Sequence, residues 1–86
     1  GVNRIRVGIK MKKGVRIIPR RGYKIMIGNE AIGQVTSGAL SPILGRSIAI
    51  GYVNSTHALI GLEVKIIVRG REYLGKLVDF PFVKKR

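Results

Sequence analysis

The sequence predicts an all-β domain: a small antiparallel, Greek-key-like β-barrel of about six strands with one short helical turn. Three observations predict it. Thirteen Ile and nine Val dominate the apolar set, and such β-branched residues favour strands over helices. Leu62 to Val68 reads as a strand with Leu62, Val64, Ile66 and Val68 on one face and Glu63 and Lys65 on the other, the period of a half-buried strand. Turn residues then divide the 86-residue chain into six or seven short strands with hardly any helix, the pattern of a closed or nearly closed barrel. The length fits a single domain, residues 1–86, with no internal repeat or boundary.

Each element follows from its residues. In the run Arg4 to Ile9, Ile5, Val7 and Ile9 face one way and Arg4 and Arg6 the other, which predicts a half-buried strand. Gly14 marks a turn, and Val15 to Ile18 is a short apolar run. Pro19 cannot donate to a central ladder, so the chain leaves the sheet there or runs along an edge. Tyr23 to Ile27 and Ala31 to Thr36 form the clearest hairpin, joined through Gly28, Asn29 and Glu30, since Gly and Asn tolerate positive φ. Ser41 as N-cap, Pro42 at the first helical position and Gly45 at the end predict the helical turn. Ile48 to Val53 reads as a strand with Ile48 and Ile50 inward, and residues 54–61 as a loop. Gly70-Arg71 turns the strand Leu62 to Val68 into a last one, Tyr73 to Val78, and the closing Phe80-Pro81-Phe82-Val83 is extended by its proline.

Composition narrows the function. A domain this small buries only roughly 60% of the surface its unfolded chain exposes, so its stability depends on good packing or on a neighbour. There are no cysteines, hence no disulfide, thiolate metal site or cysteine nucleophile. The N-terminal residues carry charges throughout with no apolar core, so no secretory signal is expected. The longest charge-free stretch, Ser47 to Leu62, is too polar and too short to span a bilayer. A cytoplasmic location and no membrane partner are expected. The first residue is Gly rather than Met, which suggests a processed chain or a fragment.

The net charge of +13, from 17 Lys and Arg against 4 Asp and Glu, should draw polyanions. Nucleic acid, an acidic protein and a polyglutamyl ligand all qualify. No RNA-recognition signature accompanies the charge, and the aromatics are only Tyr23, Tyr52, Tyr73, Phe80 and Phe82, too few for a stacking platform. No specific nucleic-acid partner is expected.

Catalytic constellations are missing. Glu30, Glu63, Glu72 and Asp79 have no spacing that suggests an acid/base dyad. His57 is the only histidine, and a metal site would need partners the chain does not supply. The Gly-rich stretches around Gly33, Gly38 and Gly45 match neither a P-loop nor a dinucleotide fingerprint.

Three longer stretches are more specific. They are Pro19-Arg20-Arg21-Gly22-Tyr23, then Gly33-Gln34-Val35-Thr36-Ser37-Gly38-Ala39-Leu40-Ser41-Pro42, then Ile48-Ala49-Ile50-Gly51-Tyr52-Val53. In order and spacing this set resembles the C-terminal β-barrel domain of the glycine-cleavage T-proteins. Val7-Gly8-Ile9, Val64 to Gly70 and Pro81-Phe82-Val83 extend the likeness over nearly the whole chain, with two extra residues around Ile17-Ile18 as the departure.

The resemblance implies an aminomethyltransferase. In that family, an aminomethyl group on the lipoyl arm of a carrier protein loses ammonia and its one-carbon unit passes to tetrahydrofolate. The catalytic aspartate and most folate contacts lie in two N-terminal domains, which this chain does not contain. The C-terminal barrel closes one side of the folate channel. The implied partners are therefore the N-terminal folate-binding domains of the same enzyme and the lipoyl carrier protein of the glycine cleavage system. The implied cofactor, through the complete enzyme, is tetrahydrofolate, with no metal. The isolated chain is expected to be inactive. The one candidate cofactor contact is Arg86, because in the family a residue shortly after the closing P-F-V can reach the channel. The rival expectation, from charge alone, is a free-standing basic barrel that binds RNA.

Overall fold

A computed structural model describes residues 3–79. The expected Phe80 to Val83 segment and the tail Lys84 to Arg86 lie outside the described residues. Six strands close into an antiparallel barrel in the order β1-β4-β3-β2-β5-β6. They are β1 (Arg4–Met11), β2 (Lys24–Ile27), β3 (Glu30–Ser41), β4 (Arg46–Asn54), β5 (Glu63–Val68) and β6 (Arg71–Val78). Strands β2, β3 and β4 are joined by successive hairpins, and β1 lies beside β4, which is the Greek-key arrangement.

The interior is filled by alternate residues of all six strands. Val7, Ile9 and Met11 of β1, Ile25 of β2 and Ile32 and Val35 of β3 meet Ala49 and Val53 of β4, Val64 and Ile66 of β5 and Leu77 of β6. At roughly 25 cal/mol per Å2 of apolar surface removed from water, each large side chain here stabilises the fold by about 1.5–3 kcal/mol. The alternation expected for Leu62 to Val68 holds, with Val64 and Ile66 buried and Leu62 and Val68 packed partly against the core.

Several expectations are corrected. Ile48 and Ile50 point outward, while Ser47, Ala49, Gly51 and Val53 point in. The period of two was right and the face was wrong, because the barrel is crowded along β4. A Cβ on Gly51 would lie 2.5 Å from the Gln34 carbonyl oxygen and 2.9 Å from Ile25 Cδ1, so only small residues fit inside there. Ile5 is 42% exposed, near the start of β1, although its cross-strand partner Val53 is buried. The stretch after Ser41 is a four-residue hairpin turn and not a helix. Ser41 Oγ accepts from Leu44 N at 3.2 Å, and Gly45 N donates to Ser41 O at 2.8 Å, so the capping chemistry is present without a second turn to propagate it. The one 3-10 turn lies instead at Ser55–His57.

The hairpins show their chemistry. Ile27 pairs with Glu30 across the two-residue loop Gly28-Asn29, and Gly28 alone has positive φ, at 57°, the pattern of a type II′ turn. Between β5 and β6 the loop is Arg69-Gly70, one residue earlier than the sequence suggested, closed by the Val68–Arg71 pair. Both loop residues have positive φ, 52° and 81°, as a type I′ turn requires. Strand β3 bulges at Thr36, whose Oγ1 donates to Ile50 O at 3.0 Å.

Two longer connections cross the barrel ends. The β1–β2 segment, residues 12–23, passes over one end, with Val15 against the core and Pro19 buried. Residues 55–62 cross the other, where Ala58 and Leu62 pack on the core and Leu62 O accepts from Leu77 N at 2.9 Å.

Candidate functional site

Because side chains fill a six-stranded barrel, nothing passes along its axis, and function must reside at the ends or on the outer surface. The four acids stand at separate places in the fold. Glu72 on β6 accepts from Lys65 Nζ at 3.3 Å on the outside of the sheet. Glu30, at the start of β3, lies 4.0 Å from His57 Nε2, and His57 Nδ1 is 3.2 Å from Thr56 Oγ1. Glu30 is exposed and His57 is half-buried. Glu63 opens β5 and Asp79 follows β6. Among the described residues no three His, Cys, Asp or Glu side chains gather to hold a metal ion. No helix among them is long and apolar enough to cross a membrane. The candidate folate contact Arg86 lies outside the described residues.

The structure does bring together residues that sequence reasoning left apart. β2 pairs with β5 through Ile25–Ile66 and Met26–Lys65. Continued outward, this register sets Tyr23 opposite Val68 at the end crossed by the β1–β2 segment. A groove of about 480 Å3 opens there between that segment and the β5–β6 hairpin tip. Its walls carry Arg16, Arg20, Arg69 and Arg71, and Tyr23 and Tyr73 also line it. The signal in the sequence was the pairing of two arginine-bearing turns, Arg20-Arg21-Gly22 and Arg69-Gly70-Arg71, but only the register could make them neighbours. A second basic groove, of about 430 Å3, holds Lys10, Lys12, Lys13, Arg46 and Lys76 together with Glu63.

Large apolar side chains also remain outside. Leu59 and Ile60, in the loop over the opposite end, are 62% and 59% exposed. Leu40 and Ile43 are exposed around the β3–β4 turn. An 86-residue barrel with this much uncovered apolar surface suits a domain that leans on a neighbour.

Comparison with known proteins gives the architecture its place. The family model for the glycine cleavage T-protein C-terminal barrel domain matches residues 4–84. The chain belongs to that family. A probable aminomethyltransferase of Aeropyrum pernix is 44% identical over 84 residues, covering 96% of this chain and 22% of that protein. An aminomethyltransferase of Symbiobacterium thermophilum is 42% identical over 84 residues, covering 98% and 22%. The crystal structure of the glycine cleavage system aminomethyltransferase T from Bartonella henselae superposes with a TM-score of 0.81 at 33% identity, over 96% of this chain and 23% of that one. The chain thus spans about a fifth of the length of its T-protein relatives and corresponds to their C-terminal barrel. The family resemblance read from the three motifs is borne out, and no observation supports the RNA-binding alternative.

Proposed function

We propose that this barrel works as the C-terminal domain of a tetrahydrofolate-dependent aminomethyltransferase of the glycine cleavage system, closing a folate channel whose other walls come from N-terminal domains. The observation that carries this reading is the correspondence of residues 4–84 to the T-protein C-terminal barrel alone. The T-protein relatives are about four to five times longer than the matched stretch.

The barrel's own residues define its share of the work. The described residues do not themselves enclose a pterin, because the interior is packed with Ile, Val, Leu and Met. Folate would therefore meet this domain only at its surface, and no chemical step is assigned to it. In the complete enzyme the one-carbon unit of a lipoyl-bound aminomethyl group passes to tetrahydrofolate as ammonia leaves. The barrel's part is to exclude water from one side and to hold the channel's shape. Arg86 is the candidate for a folate carboxylate, since a planar guanidinium pairs bidentately with such a group. The lipoyl carrier protein and a cytoplasmic location belong to the same reading.

The test is association. The N-terminal region of the Aeropyrum pernix relative, produced without its own barrel, should form a one-to-one complex with this chain in light scattering. Two separate species at all mixing ratios would count against the reading.

A further inference from the structure

We propose that the groove between the β1–β2 segment and the β5–β6 hairpin binds a linear polycarboxylate, a flexible chain carrying several carboxylates on an aliphatic stem. The proposal concerns this chain alone and goes beyond its place in a larger enzyme.

Four guanidinium groups line one groove, from Arg16, Arg20, Arg69 and Arg71, with no acid among its lining residues. None of the four has a hydrogen-bonding or ion-pair partner for its side chain among the described residues. Glu72, the acid next to Arg71, falls on the opposite face of β6 by strand alternation and pairs there with Lys65. Mutual repulsion of four uncompensated cations is relieved by an anion that several of them can share.

Backbone conformation adds an independent observation. Arg69 is the only non-glycine residue with positive φ among those described. It occupies the first central position of a type I′ turn, which Asn, Asp or Gly adopts at lower cost. The turn therefore does not explain why arginine stands there. Such strain at a site lined by like charges points to a role for the side chain.

The rest of the lining selects among anions. Ile17, Ile18 and Val68 also line the groove and suit methylene groups. Tyr23 and Tyr73 are partly buried and packed against the core, so their rings are not free to stack on bases as a nucleic-acid site needs. The β1–β2 side of the groove is held by main-chain bonds. Tyr23 N donates to Arg20 O at 3.2 Å, Gly22 N to Val35 O at 2.9 Å and Val35 N to Tyr23 O at 2.8 Å. Guanidinium groups on such a frame pair bidentately with carboxylates.

The test is an NMR titration of the chain with tetraglutamate at about 0.1 M salt, where exposed charges more than ~10 Å apart are screened. Tripolyphosphate and an oligouridylate are titrated in parallel. The expected result is saturable one-to-one binding of tetraglutamate, with amide shifts confined to residues 16–23 and 68–73. Its affinity should exceed that for tripolyphosphate at least fivefold. The double variant Arg69→Gly/Arg71→Gln keeps the turn and should weaken binding at least tenfold. The charge-matched variant Lys12→Gln/Lys76→Gln, in the second groove, should change it less than twofold. Shifts scattered over the barrel, or equal losses in the two variants, would reduce the effect to net charge and overturn the proposal. So would tighter binding of tripolyphosphate or of the oligouridylate, each of which would assign the groove to phosphates.

Discussion

Gly38 of β3 lies directly against the main-chain carbonyl of Pro19, so that no Cβ fits between them. The β1–β2 segment is thereby pressed onto the C-terminal part of β3, and Pro19 becomes buried. The contact seals one end of the barrel and sets one wall of the arginine groove.

Gly38→Ala is accordingly expected to destabilise the domain. The added methyl meets backbone on both sides, from Pro19 and from Ile48 O at 3.2 Å, and backbone cannot rotate away. Overpacking of this kind costs about 1–3 kcal/mol, which lowers the melting temperature by roughly 4–8 °C per kcal/mol in a domain of this size. Thermal unfolding followed by circular dichroism measures it, and an unchanged midpoint would show that the segment yields freely.

Ser47 makes the opposite case. Its side chain is fully buried and its Oγ has no hydrogen-bond partner among the described residues. A buried hydroxyl without a partner carries a desolvation cost of about 1–3 kcal/mol. Ser47→Ala removes that cost at the loss of one small atom, and is expected to raise stability by about 1 kcal/mol. A lower denaturation midpoint in urea would instead reveal a partner for the hydroxyl.

These two positions also show how far the sequence could be read. The strands, the β2–β3 hairpin and the closed barrel were legible, because alternation and turn residues are local. The inward face of β4 was not. Hydrophobicity alone puts Ile48 and Ile50 inside, and only the close approach of Gln34 and Ile25 to Gly51 explains why Ser47 and Ala49 go there instead. The arginine groove was invisible for a related reason. Arg20 and Arg69 are 49 positions apart in the chain, and their meeting depends on the β2–β5 register, which no local pattern encodes. The family, in contrast, was legible from three motifs whose glycines and prolines sit at turns and close approaches.

Tail removal tests the proposed folate contact. In the enzyme reconstituted with its N-terminal domains, deletion of Lys84 to Arg86 is expected to raise the Michaelis constant for tetrahydrofolate by about tenfold or more. That is the effect of losing a charge-assisted hydrogen bond of roughly 1.5–3 kcal/mol. An unchanged constant would leave the tail without a part in folate binding.

The most direct test of the central claim is a measurement of methylenetetrahydrofolate formation with aminomethylated lipoyl carrier and tetrahydrofolate supplied. This chain alone should give none, as should the barrel-less N-terminal region of the Aeropyrum pernix relative. The two mixed should restore turnover. Activity from this chain alone, or a mixture that forms a complex yet stays inactive, would contradict the account.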